Sequence, residues 1–201
     1  MKTVIVKRSA QEIFAEARTV QAFSLDTDEV CIAVERAAQL LVECFRSGHK
    51  VLLCGNGGSA ADCQHLAAEF VGRFYYERAG WPAIALTTDT SILTAVGNDY
   101  GFDNVFSRQV RALGNPGDVL ICFSTSGNSA NVLAACRAAL SKGLTTIGFV
   151  GSTGGVLKQL VNVCIHVDDP STARVQECHI IAGHALCSIV EASMLQDVPK
   201  P

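Results

Sequence analysis

Side chains that can hold a metal ion or transfer a proton occur in two stretches of this 201-residue sequence. His65 and Glu69 stand four residues apart in a predicted helix, so they share one face and can converge on a metal or a substrate. Gln176 and His184 lie in a second predicted helix near the C-terminus. An isolated His–Glu pair on a helix is also a common surface interaction, so the spacing alone leaves both interpretations open.

The spacing of Gln176 and His184 restricts how they can share a ligand. Eight residues correspond to about 12 Å along a helix axis. One metal ion contacts both only if the two side chains lean toward each other from two turns apart. Otherwise the two residues come from different chains, or Gln176 precedes the regular helix. His179 lies on another face and is interpreted as a structural or exposed histidine.

Two loops rich in small hydroxyl and amide residues each connect a predicted strand to a predicted helix. The first is Asn56-Gly57-Gly58-Ser59, and the second, at residues 124–129, contains four hydroxyl-bearing residues: Ser124, Thr125, Ser126 and Ser129. A helix N-terminus presents unpaired N–H groups and a partial positive charge, so it binds anions. The second loop has no lysine or arginine, and neither the nucleotide P-loop nor the dinucleotide glycine motif is present. The pattern favours a small phosphate monoester; ordinary turns with serine N-caps are the alternative.

The alternation of elements from residue 50 onward predicts a parallel sheet covered by helices on both faces. The predicted strands are residues 51–54, 83–86, 119–123, 145–150 and 163–167. The predicted helices are residues 59–74, 103–113, 130–142, a short piece near 156–160, and 172–196. Ligands bind such sheets at the carboxyl ends of the strands, near a switch in strand order.

The first 48 residues carry a different pattern. Ser9 to Glu12 forms a capping box that predicts a helix to about Val20. Residues 26–29 cap a second predicted helix that ends at Gly48. The apolar faces of these helices either cover one flank of the sheet or dock on a partner subunit. We predict one domain over residues 1–201, with residues 1–48 as an N-terminal helical extension.

Composition excludes several classes of protein. A net charge of −3 with 16 Lys and Arg argues against nonspecific binding of nucleic acid or anionic membrane. No apolar run approaches the roughly 20 residues of a membrane span, and the N-terminal apolar patch is too short for a signal peptide. The nine cysteines include no CxxC pair, which favours reduced core residues over zinc knuckles or disulfides. The sequence therefore predicts a globular cytoplasmic protein.

Four segments resemble, in order and spacing, the sedoheptulose 7-phosphate isomerases, also called phosphoheptose isomerases, of the sugar isomerase (SIS) domain superfamily. They are CGNGGSAADCQHLAAEFVGRF, TAVGNDYGF, STSGNSAN and ARVQECHIIAGH. The resemblance spans residues 30–195 and implies a five-stranded parallel sheet in a single α/β SIS domain. It also implies a homotetramer with active sites at subunit interfaces. The implied reaction converts sedoheptulose 7-phosphate to D-glycero-D-manno-heptose 7-phosphate, the first step toward nucleotide-activated heptose for surface glycans such as lipopolysaccharide.

The resemblance also implies roles for individual residues. The substrate positions fall on Asn56, Gly57, Gly58, His65, Glu69, Asn98, Asp99 and Gln176, and the phosphate positions on Ser124, Thr125, Ser126 and Ser129. The metal positions, usually assigned to one zinc ion per subunit, match His65, Glu69, Gln176 and His184. Some members have an Asp three residues before the family glutamine, where this chain has Ala173, so no Asp contribution is implied there.

Ketose–aldose isomerisation moves a proton between adjacent carbons through an enediol. It therefore needs a base, an acid and a group that stabilises the developing oxyanion. Glu69 is the candidate base and His184 the candidate acid. Metal binding by the same residues would occupy their lone pairs. Either a bound metal polarises the carbonyl and one ligand shifts during turnover, or the metal is partly structural.

Three other functions compete with heptose isomerisation. Tetrameric SIS relatives that bind the bacterial replication initiator without known catalysis lack the glutamate and histidine equivalent to Glu69 and His184, both of which are present here. Sugar-phosphate-sensing regulators normally carry an attached DNA-binding domain, for which this chain has no room. An isomerase of another ketose phosphate is the third alternative, because the loop recognises the phosphate rather than the carbon skeleton.

Overall fold

The computed structural model describes residues 7–196, which form five strands and eight α-helices. The strands are β1 (Val51–Cys54), β2 (Ala83–Ala85), β3 (Val119–Ser124), β4 (Thr145–Gly151) and β5 (Val163–Val167). The helices are α1 (Ala10–Leu25), α2 (Asp28–Arg46), α3 (Gly58–Val71), α4 (Thr90–Tyr100), α5 (Val105–Leu113), α6 (Ala130–Ser141), α7 (Leu157–Leu160) and α8 (Thr172–Leu195). A short 3-10 helix, Phe102–Asn104, precedes α5.

The strands form one parallel sheet in the order β2-β1-β3-β4-β5. The chain moves from β1 to β2 on one side and returns to β3 on the other, so the order switches between β1 and β3. Cys54 at the end of β1 pairs in register with Cys122 of β3. The loops that follow these two strands therefore start side by side, which is the usual place for a ligand in such a sheet. The predicted five-stranded parallel α/β fold is confirmed.

Two layers of helices bury the sheet on both faces. Alternate strand residues face α2, α3 and α8 on one side, as Leu53 does, or α5 and α6 on the other side, as Leu52 does. Helix α2 buries Val30, Val34 and Leu41 in the first of these cores, so it covers a flank of the sheet. All of β1 and β3 is buried, as expected for parallel strands covered on both faces.

Several element boundaries differ from the sequence prediction. Helix α4 was not predicted, because its threonine, serine and glycine residues are weak helix formers and it buries none of its residues. The helix predicted at 59–74 ends at Val71, since Gly72 is its C-cap and Phe74 lies in the following loop. The N-terminal capping box is confirmed, and its helix continues past Val20 to Leu25.

Most of the cysteines lie in the interior of the protein. All nine cysteines are free thiols; seven are buried, Cys164 is half-buried and Cys31 is exposed, which confirms that most are reduced core residues.

Helix α8 is long and apolar enough, by length and composition only, to cross a membrane. However, 44% of its most apolar window is buried within the described chain, where Leu186 and Val190 are fully covered. Part of α8 therefore packs in the core of the described chain.

Candidate functional site

A polar cavity of about 240 Å³ opens where β1 and β3 end. Its lining consists of Asn56, Gly57, Gly58, Ser59, Phe123, Ser124, Thr125, Ser129, Thr172 and Gln176. The structure thus brings together both predicted loops and adds Thr172, which the sequence reasoning missed. Ser126 lines an adjoining cavity of about 310 Å³ that shares Thr125 and Thr172 with the first. No lysine or arginine belongs to the lining of either cavity.

Three helices begin at this cavity. Gly58 opens α3, Ser129 is the N-cap of α6, and Thr172 opens α8. None of the three N-cap residues of these helices, Gly57, Ser129 and Ser171, caps its helix with a side chain. The cavity therefore receives the partial positive ends of three helices without competition from a capping oxygen, which suits an anion. The alternative of ordinary serine-capped turns is wrong for Ser129.

The second loop, residues 124–129, is held in shape by its own hydroxyls and by a neighbouring turn. The Ser124 Oγ lies 3.0 Å from the Ser129 Oγ and 3.5 Å from the Ser126 Oγ. Gly127 has a φ of +64°, and a Cβ at this position would collide with the carbonyl of Gly154. The loop thus packs against the turn at Gly154 with its hydroxyls already grouped, so little further ordering would be needed to bind an anion.

The two loops are also joined to each other by a pair of amides. The Asn56 Nδ2 donates to the Asn131 Oδ1, and the Asn131 Nδ2 donates to the Asn56 Oδ1, both at 2.9 Å. Asn131 is buried in the first turn of α6. Asn56 therefore lines the cavity while its side chain holds the loops together. The sequence reasoning missed Asn131, although it ends the STSGNSAN segment.

Beyond the cavity, α3 and α8 bring three predicted ligands together. The His65 Nε2 lies 2.8 Å from the His184 Nε2 and 3.4 Å from the Glu69 Oε1. One ligand atom from each of the three residues falls within 4.8 Å of the others. Two imidazole nitrogens and a carboxylate oxygen are the protein ligands of a well-known class of catalytic zinc site. The triad of His65, Glu69 and His184 therefore fits the predicted metal.

Close packing of α3 against α8 produces this convergence. A Cβ added to Gly183 would lie 2.9 Å from the Leu66 Cδ1, so the absence of a side chain at 183 lets the two helices approach. His65 and His184 are the chain neighbours of these two residues. The contact between the helices thus places the two histidines opposite each other.

Gln176 lies in the regular part of α8, so the alternative that it precedes the helix is wrong. Its side chain lines the cavity, and a Cβ added to Gly58 would lie 2.6 Å from both polar atoms of the Gln176 amide. The Gln176 side chain therefore reaches from α8 to the first loop at the N-terminus of α3.

Asn98 and Asp99 lie apart from this arrangement. Both are exposed near the C-terminal end of α4, where the Asn98 Nδ2 donates to the Asp99 Oδ1 at 2.8 Å. Within the described residues neither lines the cavity. Their contact with substrate stays a prediction.

His179 has a structural position. It is fully buried, and its Nε2 lies 3.1 Å from the Val150 carbonyl oxygen. Burial lowers the pKa of His179 to about 4, so the ring is neutral at pH 7. The rings of Phe123 and Phe149 meet it edge-on. This confirms the structural interpretation of His179.

Comparison with known proteins identifies close relatives. The family model described as the SIS domain matches residues 10–151. The chain is 52% identical over 180 residues to a phosphoheptose isomerase of Burkholderia pseudomallei (strain 1710b), covering 90% of this chain and 91% of that protein. It is 59% identical over 160 residues to a phosphoheptose isomerase of Roseiflexus sp. (strain RS-1), covering 80% and 81%.

Comparison with solved structures finds the same family. A phosphoheptose isomerase from Neisseria gonorrhoeae matches with a TM-score of 0.83 at 46% identity. One from Francisella tularensis matches with a TM-score of 0.86 at 36% identity. Each comparison covers 90% of this chain and 96% of the other.

Proposed function

Because this chain belongs to the phosphoheptose isomerases of the SIS-domain family, we propose that it converts sedoheptulose 7-phosphate to D-glycero-D-manno-heptose 7-phosphate through an enediol. One observation carries the proposal. Helices α3 and α8 each contribute their first turn to a neutral phosphate cavity and a later turn to the triad of His65, Glu69 and His184. The product would lead to nucleotide-activated heptose for surface glycans such as lipopolysaccharide.

The cavity binds the phosphate in this proposal. Hydroxyls of Ser124, Thr125, Ser126 and Ser129 and the first N–H groups of α3, α6 and α8 donate to its oxygens. Each such bond to a charged acceptor is stronger than one between neutral groups. With no basic side chain in the lining, the site neutralises the dianion by helix ends and dipoles. A phosphate anchored here fixes the position of the rest of the sugar chain.

The triad acts on the carbonyl end of the sugar. Glu69 is the proposed base, and the carboxylate oxygen that does not face His65 can accept the proton while Oε1 stays in the triad. A zinc ion held by His65, Glu69, His184 and Gln176 would supply polarisation of the substrate carbonyl. His184 is the proposed acid. Its Nε2 cannot donate a proton and bind metal at once, so turnover and metal content must be measured together.

Assembly and location complete the proposal. We propose a homotetramer in the cytoplasm, with active sites at subunit interfaces and with neither nucleic acid nor membrane as a partner. Asn98 and Asp99 lie outside the cavity of a single chain, and α4 buries none of its residues. Phe14 and Phe23 of α1 are 62% and 78% exposed, so the N-terminal extension offers an apolar surface to a second subunit. Light scattering should give a mass near four chains of 21.3 kDa; a monomer at micromolar concentration would contradict the interfacial site.

One assay tests the reaction. Purified protein is incubated with sedoheptulose 7-phosphate, with and without added zinc, and formation of the aldose is followed by NMR. Fructose 6-phosphate in a parallel sample tests the alternative of another ketose phosphate, which the cavity permits because it binds the shared phosphate group. No turnover of either substrate in both metal conditions would favour a non-catalytic binding protein.

A further inference from the structure

A buried carboxylate on α8 organises the loop that follows α3. Glu191 is 1% exposed, and its two oxygens accept four N–H groups from this loop. The donors are the backbone N–H groups of Phe74 at 3.0 Å, Tyr75 at 2.7 Å and Tyr76 at 3.1 Å, and the Arg78 Nε at 2.9 Å. A single side chain thus sets the path of the chain between α3 and β2.

The guanidinium of Arg78 continues this network to the end of α3. Its Nη2 donates to the carbonyl of Glu69 at 2.8 Å, and its Nη1 donates to the carbonyls of Phe70 at 2.9 Å and Gly72 at 3.2 Å. It also stacks over the ring of Trp81 at 3.5 Å. The last turn of α3 contains no basic residue of its own. Arg78 therefore supplies the positive charge that stabilises this helix end.

Stability alone is a weak reason for such a pair. The side chains of Arg78 and Glu191 are 4% and 1% exposed. Removing two charges from water costs about as much as their attraction returns, and apolar replacements of buried ion pairs are often equally stable. Burial on its own would raise the pKa of Glu191, but the N–H groups of Tyr75 and Phe74 and the Arg78 guanidinium bring it below its usual value. The carboxylate is ionised at neutral pH.

The pair acts directly on the two helices that carry the triad. Glu191 follows His184 by seven residues, two helical turns, so both lie on the same face of α8. Arg78 binds the carbonyl of Glu69, a triad residue on α3. The ring of Phe74, whose N–H is held by Glu191, lies 5.6 Å from the His184 ring, centre to centre. The network thus reaches the Glu69 carbonyl through Arg78 and the His184 ring through Phe74.

We propose that Arg78 and Glu191 are positioning residues that hold the C-terminal end of α3 against α8 and so set the separation of Glu69 and His184. The proposal rests on the metal site of the proposed function, since its consequence is the affinity of the triad for zinc and, through it, turnover. Partners that orient metal ligands typically change metal affinity or activity by about 10- to 100-fold when they are altered.

The test measures zinc affinity by competition with a chromophoric chelator, which needs no turnover. Glu191→Gln keeps the shape but removes the charge, and Arg78→Lys keeps the charge but loses the forked geometry. Each variant is expected to weaken zinc binding about 10- to 100-fold. The KM for sedoheptulose 7-phosphate should stay near the parental value while kcat falls, because the phosphate cavity is unchanged.

Asp118→Asn is the matched control. Asp118 is another carboxylate that is 1% exposed, and it pairs with the Lys50 Nζ at 2.6 Å. The two residues precede β3 and β1, so the pair lies at the amino ends of these strands, opposite the cavity. This variant should lose a comparable share of thermal stability with zinc affinity unchanged. Circular dichroism and binding of inorganic phosphate show whether each variant is folded. If Glu191→Gln does not fold, Arg78→Lys decides.

The outcomes separate this proposal from the isomerase assignment. The positioning proposal is overturned if parent, Arg78→Lys and Glu191→Gln bind zinc with equal affinity. It is also overturned if Asp118→Asn loses as much zinc affinity as these two variants, because that result would indicate general destabilisation. A parent protein that binds no zinc also overturns it and leaves the isomerase proposal to its own assay. A parent that binds zinc without turnover refutes the isomerase proposal, while the affinities of the variants still decide this one.

Discussion

The phosphate cavity and the triad share two helices but are built in different ways. The cavity consists of helix ends, backbone and small hydroxyls, and its loops are fixed by the contact of Gly127 with Gly154 and by the amide pair of Asn56 and Asn131. The triad consists of three side chains whose positions depend on how closely α3 approaches α8. In the proposed function, recognition of the phosphate is therefore spread over many backbone donors, whereas the chemistry depends on a few side chains.

This difference predicts two responses to mutation. Loss of one donor in the cavity leaves the others in place, so affinity should fall by a small factor unless the loop itself moves. Loss of one group in the triad leaves no substitute, so the rate should fall by orders of magnitude.

Changes in the triad should have the largest effect. Glu69→Gln keeps the shape of the side chain but removes the proton acceptor, and a lost general base typically costs about 10²–10⁴ in rate. His184→Asn should cost a similar factor. The double variant should be no worse than the poorer single one if both residues serve one proton transfer or one metal.

Kinetics on sedoheptulose 7-phosphate, with zinc measured by elemental analysis, checks these variants. Zinc content that falls along with activity identifies the residues as ligands, and activity that falls alone identifies acid–base roles. Near-parental turnover in Glu69→Gln would remove the assignment of the base.

Displacing the loop at residues 124–129 should have the next largest effect. In Gly127→Ala the new Cβ meets the Gly154 carbonyl, and a φ of +64° disfavours any side chain. Displacement of the loop should lower kcat/KM on the order of 10²-fold. Gly48→Ala is the control, because Gly48 has a φ of +75° but nothing within 4 Å of its Cβ position. Equal losses in the two variants would show that backbone strain, and not the loop contact, is responsible.

Single hydroxyls of the loop at residues 124–129 should matter less. Ser126→Ala removes one donor, worth about 0.5–1.5 kcal/mol or somewhat more against a charged acceptor, so the dissociation constant should rise by up to roughly 10-fold. Ser126→Asp places a negative charge beside the phosphate and should abolish binding. Calorimetric titration with sedoheptulose 7-phosphate compares the three proteins. Parental affinity in Ser126→Asp would show that this loop does not bind the phosphate.

The smallest expected effect concerns the stability of the folded protein at low pH, to which Glu191 contributes. The folded pKa of Glu191 lies below its ordinary value of 4.5, despite burial, because backbone N–H groups and Arg78 stabilise the carboxylate. Its contribution to stability is therefore complete above that value and is lost as the pH falls through the folded pKa. Urea denaturation from about pH 6 to about pH 3 should show a steeper loss of unfolding free energy in the parent than in Glu191→Gln. Parallel pH profiles would contradict this origin of the shift.

The sequence predicted the parts of the site that follow from local patterns. The two loops and the pairing of His65 with Glu69 are set by strand–helix alternation and by the helical repeat. Thr172 was missed because no glycine-rich loop precedes α8. The network of Arg78 and Glu191 was missed because 113 residues separate its members, and no local pattern signals such a contact. The approach of His184 to His65 likewise depends on the packing of Gly183 against Leu66.

Helix α8 passes from the phosphate cavity at Thr172 to the triad at His184 without a break. A helix advances about 1.5 Å per residue, so the separation between the phosphate anchor and the reacting end is fixed by a count of peptide units and cannot stretch to suit the ligand. In the proposed reaction, this rigid length would select for the number of carbons in the sugar. Ketose phosphates with fewer carbons, held by the same anchor, should fall short of Glu69 and His184. Discrimination by chain length would then arise without any contact to the individual carbons in between.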